Sequence, residues 1–196
     1  MSTGPYTESP NAGNEWARIV RLDTQMNEET LVAEARAGSV EAFSRLIDRD
    51  GAVCYRLCFA ILRSHADAQD AAQATFVKAW RQLPSLRDVS AWSDWLRRIA
   101  VRTAIDTARH NRPRMVWLAD SDAAQADPSV ALADRMELEA AFVRLSADDR
   151  AVLTLRFYLD LELPQVAAAL GVPLGTAKSR LHRALQRLRI ALEAVP

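Results

Sequence analysis

The chain has 196 residues, 49% of them hydrophobic, and its 25 basic and 25 acidic residues give a formal net charge of zero. This length and composition indicate one or two domains with an apolar core. No apolar run reaches about 18 residues and no signal peptide is recognisable, so we expect a cytoplasmic protein without membrane insertion. Only six glycines are present, and no nucleophile triad, phosphate-binding glycine loop or carboxylate pair is found. The sequence therefore predicts neither an enzyme nor a bound cofactor.

Taken in chain order, the sequence begins with a polar stretch, 1–26, that we expect to be a disordered extension. From residue 27 the apolar periodicity is helical and strand signals are absent. Helices are predicted near 28–37, 39–62, 65–82 and 89–110, and again near 133–144, 147–158, 164–170 and 174–193. Residues 112–132 between them are polar, acidic and proline-containing, which predicts a flexible linker. The predicted fold is all-α, with two helical domains (27–111 and 133–196) that move independently in the free protein.

The predicted helix 65–82 has an apolar and a polar side. Ser64 is placed as its N-cap, and Ala72, Phe76 and Ala79 form a stripe suited to a core. Three polar residues lie toward the other side: Asp67, Asp70 and Gln73. They are available to a partner, although the two acids can also simply stabilise the helix N-terminus through its dipole.

The predicted helix 89–110 is rich in arginine although the whole chain is neutral. Residues 97–114 contain six arginines and one acid, Asp106. Local patches, not the total charge, set the field that a phosphate meets. Together with the loop around Pro84–Ser90, this segment predicts a surface for single-stranded or duplex nucleic acid.

The second domain ends in the pattern of a helix-turn-helix. An apolar helix, 165–170, is followed by a turn at Gly171 and Pro173 and by a basic helix that begins near 174. This combination predicts a recognition helix for the DNA major groove, with a basic amphipathic helix of solvated polar face as the alternative.

The polar side of the recognition helix is predicted to divide its contacts between bases and phosphates. At about 100° per residue, Ser179, His182 and Arg183 point away from the apolar stripe and are expected to reach base edges. They are flanked by Lys178, Arg180 and Arg187, which are expected to contact phosphates. Thr176 lies near the helix N-terminus, where hydroxyl and backbone N–H groups bind phosphate.

Cys54 and Cys58 are four residues apart and therefore share one helix face. A metal or redox site is one interpretation, but no second pair of ligands accompanies them. Buried free cysteines behave as small hydrophobic residues, so we expect core packing and no metal.

Three motifs, Asp67–Trp80, Trp95–Asp106 and Gly175–Arg183, follow one another at characteristic separations. In this order they resemble the polymerase-binding segment, the promoter-melting helix and the distal recognition helix of the extracytoplasmic-function (ECF) class of bacterial RNA polymerase sigma factors. The resemblance covers about 27–189, including the linker.

The resemblance implies a factor, not an enzyme, that brings core RNA polymerase to promoter DNA in response to stress or a signal and is controlled by an anti-sigma factor. It implies polymerase contacts for Asp67, Asp70 and Gln73. It implies minus-ten contacts for Arg87, Asp88, Arg98, Arg102 and Arg109, and minus-thirty-five contacts for Thr176, Lys178, Ser179, Arg180, His182 and Arg183.

Two positions depart from the family pattern. Arg102 stands where the family usually has Asn, which adds a cation for phosphate binding. Glu162 replaces the Ser that commonly caps the first helix of the helix-turn-helix, and the following Pro164 suits a first helical turn. We therefore expect this helix to form with a weaker cap.

Two other functions are considered. A stand-alone helix-turn-helix regulator accounts for the second domain but leaves the first without a task, and it would bind free duplex tightly without polymerase. A helical scaffold in a signalling cascade would keep its partner binding after all DNA-dependent activity is lost.

Overall fold

The computed structural model describes residues 28–111 and 130–194, so the predicted extension and most of the predicted linker lie outside the described residues. All regular elements in these two segments are helical, which confirms the predicted fold class. The helices are α1 (28–36), α2 (Val40–Leu62), α3 (His65–Gln82), α4 (Trp92–Asn111), α5 (Val130–Val143), α6 (Ala147–Leu153), α7 (Leu163–Leu170) and α8 (Leu174–Glu193). Two 3₁₀ turns, Leu83–Ser85 and Val89–Ala91, precede α4, and a π-helical turn, Thr154–Tyr158, follows α6.

Serine caps determine where α2 and α3 begin. The Ser39 hydroxyl accepts the N–H of Ala42 at 3.1 Å, and the Ser64 hydroxyl accepts the N–H of Asp67 at 3.3 Å. Both serines have extended backbones, as N-cap residues do. Only two residues separate α2 from α3, and the two helices pack against each other.

Aromatic side chains form the centre of the first helical group, 28–111. Trp92 is fully buried, and its Nε1 donates to Asp50 Oδ2 at 2.7 Å. The Phe43 ring centroid lies 4.8 Å from that of Trp80 and 6.3 Å from that of Trp92. These separations are favourable for aromatic pairs, so the cluster fixes α2, α3 and α4 relative to one another.

Cys54 and Cys58 are both free and buried in this core, as predicted. The Cys58 thiol donates a hydrogen bond to Cys54, and this bond, reinforced by burial, raises the pKa of Cys58, so Cys58 stays neutral. Within 28–111 and 130–194, no group of three or more His, Cys, Asp or Glu side chains is placed to hold a metal ion. None of the described helices has the length and apolar character needed to cross a bilayer.

The second helical group, 130–194, is held together by a buried carboxylate. Asp149 is only 8% exposed and accepts two bonds from Arg187 Nη1, at 2.7 and 2.8 Å. It also accepts the hydroxyl of Ser146 at 2.6 Å, and the same hydroxyl accepts the N–H of Asp149 as the N-cap of α6. Asp149 therefore ties α8 to the first turn of α6.

The two groups pack against each other: α2 and α4 contact α6, and α4 also contacts α7. Arg150 of α6 is buried at this boundary and donates to the carbonyl oxygens of Ile61 in α2 and of Leu145 and Val143 in its own group. Burial lowers the pKa of Arg150 to about 10, so the side chain is charged at neutral pH. This packed arrangement differs from the independently moving domains that the sequence predicts, because buried contacts join the two groups.

Candidate nucleic-acid interface

The structure contains the predicted helix-turn-helix. Gly171 ends α7 with a φ of 66°, a conformation that favours glycine, and α8 begins at Leu174. At the other end of α7, the N–H of Glu162 donates to Gln165 Oε1 at 2.9 Å. The side chain of Gln165 therefore caps the start of α7, where Glu162 replaces the serine that commonly caps this helix in the family.

The recognition helix α8 has one buried side. Ala177, Ala184 and Ala191 recur every seven residues and face the core. The polar side chains predicted to contact DNA are exposed at Lys178, Ser179, His182 and Arg183 and half-buried at Thr176 and Arg180. The placement of these six residues on one helix agrees with the sequence prediction, and their individual DNA contacts stay predictions.

Two hydrogen bonds lie along the exposed side of α8. The Ser179 hydroxyl donates to the carbonyl of Thr176 at 3.0 Å, and Arg183 Nε donates to the carbonyl of Ser179 at 3.2 Å. Such exposed side-chain bonds add little net stability because water replaces them readily. Arg183 can therefore leave its own helix for a base edge at small cost.

Acidic residues of α6 engage two arginines of α8. Arg180 Nη1 lies 3.9 Å from Asp148 Oδ1, and Arg187 is bonded to Asp149. The sequence places both arginines at the flanks of the DNA-binding side. The structure gives Arg187 a different role, because its bond to a buried carboxylate positions the helix.

The arginine-rich helix α4 carries three of the predicted minus-ten residues. Arg98 is half-buried, and Arg102 and Arg109 are exposed. Arg109 Nη2 donates to Asp148 Oδ1 at 3.1 Å, and Arg109 Nη1 lies 4.0 Å from Asp106 of the same helix. The guanidinium of Arg102 lies against the turn of the helix-turn-helix. It is so close to Gly171 that a Cβ atom added to this residue would lie 2.5 Å from Arg102 Nη2.

The loop before α4 presents Arg87 and Asp88, the other predicted minus-ten residues. Asp88 accepts the N–H of Ser90 at 3.0 Å and its hydroxyl at 2.7 Å, so it caps the 3₁₀ turn. Arg36 of α1 supports the loop by donating to the carbonyls of Leu86, at 2.9 Å, and Arg87, at 3.3 Å. Sequence analysis missed Arg36, because its partners are backbone carbonyls distant along the chain.

The three residues predicted to contact polymerase do not have equal surroundings. Asp67 is half-buried and accepts from Asn111 Nδ2 at 2.9 Å, so it joins α3 to the end of α4. Asp70 and Gln73 are exposed. Asp67 therefore has a structural contact of its own, whereas Asp70 and Gln73 are accessible to a partner.

An apolar groove of about 760 Å³ lies between α2 and α3, and Gln73 is on its rim. Its walls are apolar and aromatic and include Val40, Phe43, Ile47, Phe76, Val77 and Trp80. Two apolar side chains of the groove are exposed, Val40 by 71% and Val77 by 51%. Exposed apolar side chains that line the same groove are unusual on a protein surface. The spacing of Val40, Phe43 and Ile47 along α2 was a sequence signal for this groove that the analysis left unused.

A helix-turn-helix group packed on a second helical group that carries an arginine-rich helix indicates a DNA-binding protein. Residues 46–114 match the family model for sigma-70 region 2, and residues 135–188 match the model for sigma-70 region 4. The chain is therefore a member of the sigma-70 family, in its ECF group, and is an RNA polymerase sigma factor.

Individual relatives agree with this assignment. The chain is 32% identical over 185 residues to the RNA polymerase sigma-H factor of Pseudomonas aeruginosa, covering 87% of this chain and 96% of that protein. It is 31% identical over 168 residues to the ECF RNA polymerase sigma factor SigL of Mycobacterium tuberculosis, covering 83% and 95%. The sigma factor RpoE of Bartonella quintana, solved with the anti-sigma factor NepR, has a TM-score of 0.58 at 26% identity and covers 80% of this chain and 100% of that one.

Proposed function

We propose that this sigma factor uses three surfaces in promoter-dependent initiation, one for polymerase and one for each promoter element. The groove between α2 and α3, with Asp70 and Gln73 beside it, binds core polymerase. The loop at Arg87 and Asp88 and the arginines of α4 bind the minus-ten element, and the exposed side of α8 binds the minus-thirty-five element. Asp67 supports the polymerase surface through its bond to Asn111.

The groove is the observation that carries this proposal. A partner helix with apolar side chains can fill about 760 Å³ between α2 and α3, and basic residues on the same helix would meet Asp70. A regulator that binds duplex DNA alone has no use for such a surface. The groove therefore favours a polymerase-dependent factor over the stand-alone regulator.

The two DNA surfaces differ in what they recognise. In α8, Arg183, Ser179 and His182 are accessible for base edges, and Lys178 and Thr176 for phosphates. In the first group, Arg87 and Asp88 border the site for an unstacked minus-ten base. Extruding a base costs a few kcal/mol, which polymerase binding and the phosphate contacts of Arg98, Arg102 and Arg109 offset.

Regulation is proposed by analogy with relatives. RpoE of B. quintana is held by an anti-sigma factor, and we propose that a partner of this kind restrains the present protein until a stress or signal releases it. Its action on polymerase places it in the cytoplasm. It supplies binding and promoter specificity and has no enzymatic activity of its own.

Transcription in vitro on a promoter library tests the proposal. Core polymerase with the full-length protein should produce transcripts only from templates that share a minus-ten and a minus-thirty-five sequence, identified by sequencing the active templates. The protein alone should bind free duplex weakly. Tight binding to free duplex together with no transcript in the presence of core polymerase would establish the stand-alone regulator instead.

A further inference from the structure

The loop between α3 and α4 is held by a side chain from the first helix of the described chain. Residues 86–88 of this loop lie between two 3₁₀ turns and belong to no helix. Arg36, the last residue of α1, donates from Nη1 to the carbonyl oxygens of Leu86 at 2.9 Å and Arg87 at 3.3 Å. These partners lie 50 and 51 residues further along the chain. The contact is therefore tertiary and joins α1 to the loop.

The helix that carries Arg36 is itself fixed in the first group. Leu31, Val32 and Ala35 are buried, which attaches α1 to the core. At the start of α1, Glu28 Oε1 accepts the hydroxyl of Ser93, in the first turn of α4, at 3.2 Å. One end of α1 thus bonds to the loop and the other end bonds to the helix that follows the loop, so α1 is a rigid support for this part of the chain.

The support acts on the backbone of the loop and leaves its exposed side chains accessible. Leu86 is buried, whereas Arg87 and Asp88 are exposed. Both bonds of Arg36 end on backbone oxygens, and Asp88 caps the second 3₁₀ turn by accepting the N–H of Ser90. The loop therefore presents two side chains to solvent from a backbone that is bonded in place before any DNA binds.

We propose that Arg36 is a positioning residue for the minus-ten site: it fixes the backbone from which Arg87 and Asp88 meet the unstacked base. The inference rests on the minus-ten contacts proposed above. It gives a role to α1, a helix that the sequence analysis assigned to no surface. A prearranged loop avoids the cost of ordering during binding, and it holds its side chains where a wrong base cannot be accommodated by a small shift.

Two simpler roles for Arg36 predict different results. A residue that stabilises only the fold would lower the melting temperature when replaced and would affect all promoters alike. An exposed guanidinium that contacts a DNA phosphate would also affect all promoters alike, and its loss would reduce the salt slope by about one ion. A positioning residue changes the preference for particular minus-ten bases and leaves the salt slope unchanged, because the loop, and not Arg36, touches the DNA.

The test compares Arg36→Met with Arg45→Met in the full-length protein. Methionine has a similar length to arginine and no hydrogen-bond donor. Arg45 is a matched control because it is an exposed arginine whose partner, Glu41, lies on the same helix, α2. Both variants should melt within about 4 °C of the wild type in circular dichroism, because exposed substitutions change stability little. A larger loss for Arg36→Met would assign Arg36 to the stability of the fold and overturn the proposal.

Hydrogen exchange followed by mass spectrometry measures the loop in the free protein. The N–H groups of Leu86, Ser90 and Ala91 are bonded within the loop and its two turns. Arg36→Met should raise their exchange rate about threefold to tenfold, the effect of losing the net contribution of one hydrogen bond. Arg45→Met should leave the rate within about twofold, as expected for one exposed pair. An unchanged rate in Arg36→Met would overturn the proposal.

Transcription by core polymerase with each variant, on promoters that differ by single bases, measures the functional consequence. Arg36→Met should reduce discrimination at one or two minus-ten positions about threefold to tenfold and leave the minus-thirty-five preferences and the salt slope unchanged. Arg36→Lys keeps the charge but lacks the planar guanidinium, so it should restore part of the discrimination. A uniform loss over all promoters for Arg36→Met would overturn the proposal.

The proposed function and this inference can fail separately. Failure of the wild type to produce transcripts with core polymerase would refute the proposed function. The exchange rates of the loop would still decide whether Arg36 fixes its backbone.

Discussion

Replacing Arg150 by methionine should destabilise the protein strongly, because Arg150 holds the boundary between the two helical groups. Its guanidinium donates to the carbonyl oxygens of Ile61, Val143 and Leu145, and the residue is 6% exposed. Methionine fills a similar volume and donates no hydrogen bond. The variant therefore tests the hydrogen bonds more than the packing.

The expected loss follows from two opposing terms. Three carbonyls without donors cost about 2 kcal/mol each, or about 6 kcal/mol in total. Against this, burial lowers the pKa of Arg150 to about 10, which corresponds to about 3 kcal/mol, and removing the buried charge recovers this amount. The variant should thus lose about 3 kcal/mol of unfolding free energy, which lowers the melting temperature by about 6–12 °C for a chain of this size.

Urea unfolding and thermal melts followed by circular dichroism measure this difference. Arg150→Lys is the matched control, since lysine keeps a charge and three donors but lacks the planar fork, and it should lie between the wild type and the methionine variant. A loss below about 1 kcal/mol for Arg150→Met would mean that water or other donors satisfy the three carbonyls. The hydrogen-bonding account of the boundary would then be wrong.

Two further predictions concern the partner surfaces. Asp70→Arg should abolish co-purification with core polymerase while the melting temperature stays within about 2 °C, because an exposed substitution changes stability by about 0.5 kcal/mol or less. The control Glu34→Arg, an exposed charge reversal on α1, should still bind core polymerase. Retained binding by Asp70→Arg would refute the polymerase role. In holoenzyme assays over single-base promoter variants, Arg183→Ala should cost about 1–3 kcal/mol and relax the preference at one minus-thirty-five position, whereas Lys178→Ala should weaken all promoters alike and reduce the salt slope by about one ion. A uniform loss for Arg183→Ala would make Arg183 a phosphate contact.

The helices could be predicted from the sequence because local chemistry marks their ends. Ser64 caps α3 as expected, and Ser146 caps α6 in the same way. Gly171 supplies the left-handed residue between α7 and α8. The π-helical turn at Thr154–Tyr158 was not expected, since its apolar pattern continues that of α6.

The partners of individual charged residues could not be predicted in the same way. A helix pattern shows on which side Arg187 or Asp67 lies, but the groups that face them come from distant segments. The structure gives Arg187 to Asp149 and Asp67 to Asn111. In both cases a residue assigned to a binding surface has a partner inside the protein, and only tertiary packing determines it.

The zero net charge of this DNA-binding chain has a physical explanation in the same contacts. An acid in the first turn of α6 stabilises that helix through its dipole, and the packing of α6 against α4 and α8 brings Asp148 beside arginines of both. A neutral total therefore conceals cations that are paired with acids of the same chain. Local charge, and not the total, sets the field that a phosphate meets, so the net charge alone predicts neither promoter affinity nor its salt dependence.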